Sequence, residues 1–303
     1  MNGIVVVDKP EGRSSAQVVG RVKRLLGANK AGHAGTLDPF ARGVLVCCLN
    51  QGTRLARFLL HGDKTYEGVL RLGVETDTED PTGTVVARGD CSAIPEAAVH
   101  AAFRRYEGDY LQTPPAYSAL KQNGVPLYAL ARQGRPLRKA ARPVQIRHLR
   151  VLRVDMPEVS FEVRCSGGTY IRTLCADIGR DLGCGGHLSR LTRTESCGFT
   201  LAQAVTLEHL GEMAERGAAA AALVPMARAL PDMPAVTAGE DLLARVRTGR
   251  TLTLAEVDPA GGALAPGTHL KLVDPAGELA AVVQVRADRP ELDYCCVFLR
   301  PGG

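Results

Sequence analysis

Tryptophan is absent, and Phe and Tyr together make up only 4% of the 303 residues. Aliphatic side chains must therefore fill most of the interior, and each tyrosine can be weighed singly. No apolar run approaches the length of a bilayer span. The start, MNGIVVVDKP, lacks the charged head, long apolar stretch and cleavage site of a secretory signal. A cytoplasmic protein without a membrane partner is the expectation. Nine cysteines are present without a C-x-x-C pair, only the doublets Cys47-Cys48 and Cys295-Cys296, which suggests reduced, mostly buried thiols. Cys184 and His187 in GCGGH have no second ligand pair, so a buried thiol and a loop histidine are expected rather than zinc. The motifs G-x-x-x-x-G-K-[ST], G-x-G-x-x-G and G-x-S-x-G are all missing. Nucleotide hydrolysis, dinucleotide redox chemistry, hydrolase elbows and zinc chemistry thus have no support.

Acidic residues are also missing from one long stretch. Between Tyr110 and Val154 there is no Asp or Glu, while Lys121, Arg132, Arg135, Arg138, Lys139, Arg142, Arg147, Arg150 and Arg153 supply nine positive charges. The chain carries +5 in all, which leaves −4 for the remainder. A local basic surface on an acidic body suits a polyanion, because each phosphate contact releases counterions. A solvated face is the plainer alternative.

Gly3 to Val7 reads as a buried strand ended by the turn Asp8 to Gly12. Ser14 and Gln17 have the form of a capping box, and Val18, Val19, Val22, Leu25 and Leu26 follow at helical spacing until Gly27. Val44 to Leu49 reads as a second buried strand, and Thr53 as the cap of a short helix reaching Leu60. From Lys64 the pattern alternates, with Tyr66, Gly68, Leu70, Leu72 and Val74 on one face, the mark of a half-exposed strand. A strand over 84–87 and a helix opened by Pro95 follow, its stripe formed by Val99, Ala102, Phe103 and Tyr106. Residues 112–142 are rich in Pro, Gly and Arg and read as a partly flexible basic insertion with one short helix, 126–132. Two strands over 144–154 and 159–165, a helix bearing Ile171, Leu174, Ile178 and Leu182, a strand over 187–194 and a helix from near Leu207 complete the first part. An alanine run at 218–222 and Pro225, Pro231 and Pro234 mark a boundary. What remains suggests a helix, 241–248, and a small β-barrel-like module.

The stretch AGHAGTLDPFARGVL, Ala31 to Leu45, holds one carboxylate, Asp38, bracketed by small residues and proline. Such a loop can turn sharply and leave the side chain clear of its neighbours, although Asp-Pro also marks ordinary turns. A carboxylate nucleophile has to be ionised and oriented, usually by an arginine. Arg172, in GTYIRT, is a candidate, and a surface arginine is the competing reading. Tyr66 could stack on a ring substrate or carry a proton, or could simply be core. His33 fits a contact to RNA and a turn hydrogen bond equally well.

Six segments in order, GIVVVDKPEGRSS, GHAGTLDPFARGVL, DKTY, TPPAYSALKQNGVPLYALARQGRP, RPVQIRHL and CSGGTYIRTLCADIGRDLG, resemble the bacterial tRNA pseudouridine-55 synthases, the TruB family, over roughly the first two hundred residues. The resemblance implies an α+β fold, a mixed and largely antiparallel sheet with flanking helices, with a catalytic domain over 1–233 and a PUA-like module over 234–303. It further implies isomerisation of a T-loop uridine in tRNA by base flipping, with no cofactor. On that resemblance Asp38 matches the nucleophile, Tyr66 the tyrosine that packs on the uracil and assists loss of the C5 proton, and Arg172 the partner of the nucleophile. Tyr170 and Leu191 match residues lining the base pocket, and His33 the histidine that meets the RNA as the base leaves its stack. Lys64, Arg132 and Arg142 join them as substrate-binding candidates.

Two departures stand out. The family commonly carries lysine where this chain has Gly167. From Pro234 onward seven Lys and Arg face nine Asp and Glu, which argues against strong RNA binding by the C-terminal module. Competing readings are another RNA substrate, a guide-dependent complex as in the dyskerin relatives, and an RNA-binding protein whose chemistry is incidental. The short N-terminus and the lack of Lys-rich tails argue against guided assembly, so no guide RNA is expected; a monomer is the separate expectation.

Overall fold

The first strand is apolar from Ile4 to Val7 because it is covered on both faces. In the computed structural model, which describes residues 1–257 and 264–299, β1 (Gly3–Lys9) pairs antiparallel with β3 (Arg42–Leu49). The short β2 (Ala31–His33) runs along the other side of β3. Side chains alternate across a strand. Val5 and Val7 therefore meet Leu45, Cys47 and Leu49 under α1 (Ser15–Leu25), while Ile4 and Val6 join Val44, Val46 and Cys48 on the opposite face. Both faces are covered over Ile4 to Val7, and each buried aliphatic contributes about 1.5–3 kcal/mol. The α1 N-terminus is closed by the Ser14–Gln17 capping box.

After β3 the 3-10 turn Asn50–Leu55 runs into α2 (Ala56–Leu59). β4 (Lys64–Leu72) and the hairpin of β5 (Val74–Thr76) and β6 (Val85–Arg88) follow, and Pro95 opens α3 (Glu96–Arg104). Thr53 does not cap the 3-10 turn; its hydroxyl donates back to the Asn50 carbonyl at 2.7 Å. β7 (Gly108–Gln112) leads into the insertion, which contains the small hairpin β8 (Lys121–Gln122) and β9 (Val125–Pro126) and the helix α4 (Leu127–Arg132). β10 (Arg142–Asp155), β11 (Glu158–Cys165), α5 (Ile171–Asp181), β12 (Gly186–Ser196), β13 (Phe199–Thr200) and α6 (Leu207–Glu215) follow.

The main sheet has the order β1-β3-β12-β4-β11-β10-β7, with β2 and β13 paired to β3 and β12. All pairs are antiparallel except β12 with β3. The mixed, largely antiparallel sheet read from the sequence is thus present. Gly43 permits the parallel contact: its φ is +103°, and a side chain there would strike the Arg193 backbone at 2.3 Å. Val159, Phe161, Val163 and Cys165 of β11 all point inward against α3 and α5.

A separate four-stranded sheet, β14 (Ala235–Thr237), β15 (His269–Val273), β16 (Leu279–Gln284) and β17 (Asp293–Val297), packs with α7 (Glu240–Arg247) around its own apolar cluster. Residues 258–263 and 300–303 of this module lie outside the described residues. Leu279, Val282 and Cys296 also join the cluster of Ile4, Val6, Val44 and Val46. Lys271, buried on β15, donates to the Ala227 and Leu230 carbonyls at 3.0 and 2.6 Å. No helix among the described residues is long and apolar enough to cross a membrane.

Candidate active site

The loop between β2 and β3 is held residue by residue. The Arg193 guanidinium donates to the Gly35 and Thr36 carbonyls, each at 3.2 Å. The Ser15 hydroxyl both donates to and accepts from the Leu37 backbone, at 2.8 and 2.9 Å. Asp38 closes a turn through its carbonyl with the Ala41 N–H. The Lys9 ammonium reaches the Pro39 carbonyl at 3.3 Å while also bonding the Pro10 and Arg13 carbonyls. These outside partners come from three different elements, β1, α1 and β12, so the backbone that carries Asp38 has little freedom left.

Arg172 meets Asp38. It is buried at the start of α5, not on the surface, and its Nε donates to Asp38 Oδ2 at 2.8 Å. Its Nη1 donates to the Thr78 carbonyl at 2.7 Å and lies 3.6 Å from Asp80 Oδ2, and its Nη2 donates to the Tyr117 carbonyl at 2.9 Å. A buried guanidinium with every side occupied is a rigid support, whereas one with a missing partner would be costly. Asp80 is oriented in turn: Oδ1 accepts from Thr78 Oγ1, Thr82 N and Thr82 Oγ1 at 2.6–2.9 Å. The Asp38 side chain keeps 34% of its surface exposed, against 5% for Arg172 and 8% for Asp80. The three form a pedestal in which only the carboxylate of Asp38 faces outward.

Tyr66 is buried on β4, and burial pushes its phenol up to about 12. Leu191 stands on the neighbouring β12, opposite Gly68. Tyr170 precedes α5, and its backbone N–H and carbonyl are both taken by the buried Gln112 amide, at 2.8 and 2.9 Å. The Arg142 guanidinium lies over the Tyr170 ring, 5.5 Å from its centre, and donates to the Gly168 carbonyl at 2.6 Å. His33 has its Nδ1 buried without a partner, and burial together with Arg193 lowers its ionisation.

Two candidates stand differently. Lys64 is buried, with its ammonium committed to the Leu60 and Gly62 carbonyls at 3.1 and 2.7 Å. Arg132 sits on α4 over the Tyr128 ring, away from the pedestal. Lys64 also explains Gly167. A side chain at 167 would stand 2.6 Å from the Leu60 carbonyl oxygen and 2.9 Å from His61 Cα, in the segment that Lys64 fixes. His187 lies in a strand rather than a loop, buried, with Nδ1 at 2.8 Å from the Val74 carbonyl. Among the described residues no group of His, Cys, Asp and Glu is arranged to hold a metal.

The basic stretch divides in two. Arg147, Arg150 and Arg153 on β10 pair with Asp63, Glu162 and Asp155. Lys121, Arg132, Arg135, Arg138, Lys139 and Arg142 have no carboxylate within ion-pair distance among the described residues. The available positive surface is therefore the insertion and its root, narrower than the sequence run of nine.

Sequence reasoning missed Asp80, Gln112, Arg193, Lys9 and Ser15. Only Asp80 had a signal. In TDTEDPT, Asp80 with threonines two residues away on either side has the form of a side-chain-braced turn.

The description "TruB family pseudouridylate synthase (N terminal domain)" matches residues 23–171, and "tRNA pseudouridylate synthase B C-terminal domain" matches 172–231. The tRNA pseudouridine synthase B of Syntrophotalea carbinolica is 42% identical over 308 aligned positions, covering 98% of each chain. The chain belongs to the TruB family of pseudouridylate synthases. A second TruB relative, from Syntrophobacter fumaroxidans, is 44% identical over 93% of this chain and 92% of its own. The fold of this TruB-family enzyme also matches the chain in a crystal structure of a Cbf5-Nop10-Gar1 complex, with a TM-score of 0.77 and 28% identity, over 99% of this chain and 85% of that one. An archaeal box H/ACA Nop10-Cbf5 complex gives 0.74 and 27% over 99% and 87%. The pseudouridine synthase fold expected from the sequence is thereby shown.

Proposed function

We propose that this enzyme isomerises the T-loop uridine at position 55 of tRNA, with Asp38 as nucleophile. The carrying observation is the Asp38–Arg172–Asp80 pedestal, which presents one oriented, partly exposed carboxylate. Uracil inside a folded loop is out of reach of such a group, so the nucleotide is flipped out at a cost of a few kcal/mol. Stacking on the Tyr66 ring, between Leu191 and Tyr170, returns roughly 1–3 kcal/mol. The cations of the insertion hold the phosphates, and Arg142, beside Tyr170, supplies the charge at the pocket entrance where Gly167 has none.

Asp38 then adds either to C1′ of the ribose or to C6 of the base. The N1–C1′ bond breaks, the ring turns, the C5–C1′ bond forms, the bond to Asp38 breaks to return its carboxylate, N1 gains a proton and C5 loses one. Tyr66 assists that loss. Atoms and electrons balance without an oxidant or reductant. The substrate is a free tRNA, bound by one copy of the chain without a guide RNA.

The test is tritium release from unmodified tRNA transcript labelled at uridine C5, with the modified position mapped and Asp38→Asn alongside. Release from a single T-loop uridine by the parent only, with a loss of at least about a thousandfold in the variant, is the expected result. Tight, salt-dependent tRNA binding without release would sink the substrate assignment.

A further inference from the structure

Three cations are buried around the Asp38 loop without a carboxylate partner among the described residues: Lys9, Lys64 and Arg193. Two of them have plain backbone duties. Arg193 does more, because it connects the two halves of the site. It is completely buried on β12, and its Nε donates to the Val44 carbonyl at 2.7 Å while its two terminal nitrogens take the Gly35 and Thr36 carbonyls. It therefore ties both limbs of the loop, the one that enters Asp38 and the strand that leaves it. In the β12–β4 pairing Arg193 stands directly opposite Tyr66. Directly opposed residues share a face of the sheet, and the guanidinium is a nearby positive charge that works against the burial that raises the phenol. A flat fork with five donors holds these three carbonyl groups in fixed directions with N–H groups to spare, a geometry that an ammonium does not fix.

We propose that Arg193 is a positioning residue of the isomerisation, fixing the Gly35–Thr36 limb of the Asp38 loop and orienting the Tyr66 phenol across the sheet toward the bound base. The positive charge opposite Tyr66 directs the phenol proton away from Arg193. Asp38 and Tyr66, which come from different strands, are thus indexed to one rigid group. The proposal rests on the pseudouridine synthase reading of the site.

The test uses the full-length enzyme with Arg193→Lys and Arg193→Gln. Arg193→Lys is expected to slow single-turnover tritium release by at least tenfold while the tRNA Kd stays within twofold and the melting temperature within a few degrees. Hydrogen exchange over residues 33–40 in the free protein is expected to rise, with the β10–β11 pair unchanged. An independent arm needs no Arg193 variant: the protected Nε–H resonance of Arg193 in the free parent should move in Tyr66→Phe. Full activity and unchanged exchange in Arg193→Lys would overturn the proposal. So would loss of tRNA affinity in step with rate, which marks a merely structural arginine, or a resonance that Tyr66→Phe leaves in place. A parent that releases no tritium from tRNA would sink the substrate assignment instead, and the exchange and resonance measurements would still decide where Arg193 acts.

Discussion

Arginines do opposite work in two regions of this molecule. At the active centre Arg172 and Arg193 are buried, and every nitrogen that could hydrate is spoken for by a carbonyl or a carboxylate. On the insertion Arg135 and Arg138 carry the same charge in water and face no carboxylate within ion-pair distance among the described residues. The first pair is fixed before substrate arrives and works through geometry. The second group works through long-range attraction, and salt weakens it over a Debye length of about 8–10 Å.

The largest effect that would separate the two is expected from Arg172→Met. It removes the partner of Asp38 and leaves Asp80 buried and uncompensated, so both rate and stability should fall. A loss of about 3–5 kcal/mol in unfolding free energy, read by urea titration, should accompany a drop of at least a hundredfold in single-turnover rate. A stable, active variant would show that the pedestal is dispensable. Next in size is the triple change of Arg135, Arg138 and Lys139 to Gln. The tRNA Kd should rise roughly tenfold at moderate salt, and the log–log salt slope should shrink by about 2 for three lost contacts on unpaired RNA. The rate at saturating enzyme should not change; if it does, the insertion belongs to the chemistry.

Much of this contrast was legible in the sequence, though unevenly. Strands such as β1, β4 and β11 declare themselves through apolar runs or strict alternation, and α1 through its capping box, because those signals are local. Asp38 was visible as a carboxylate in a loop of small residues. Its support was not, since Thr78, Asp80, Tyr117 and Arg172 meet only when the hairpin, the insertion root and α5 converge. Arg193 looked like any basic residue in a strand; nothing nearby in sequence says that its strand runs parallel to β3. The nine-charge run overstated the RNA surface for the same reason: the acids that neutralise Arg147 and Arg150 come from β11 and from the segment before β4.

Smaller effects divide along pH. Burial pulls the Lys9 ammonium from 10.5 down to about 8. Between those values the unfolded chain holds a proton that the folded chain has released, so this group's contribution to stability rises with pH across that window. Equilibrium unfolding from pH 7 to 10 should show the rise in the parent and not in Lys9→Met. Glu256 in the C-terminal module has the same sign in a far more acidic window. The Thr253 backbone N–H, then the Arg245 guanidinium and the Thr253 hydroxyl, hold its carboxyl at about 2. Stability from it is present above the ordinary value of 4.5 and is lost as pH falls through 2. Glu256→Gln should flatten the acid limb slightly and leave the alkaline limb alone.

The apolar cluster that joins Ile4 and Val6 to Leu279, Val282 and Cys296 has a consequence for the order of events on the ribosome. Ile4 also exchanges backbone hydrogen bonds with Val224, at 3.0 and 2.8 Å. The strand made first therefore completes its surroundings only after nearly the whole polypeptide has emerged. Contacts so distant along the chain slow folding and leave an apolar face waiting in the meantime. Chaperone dependence and sensitivity to premature termination should consequently centre on the N-terminal strand, far from any residue that touches RNA.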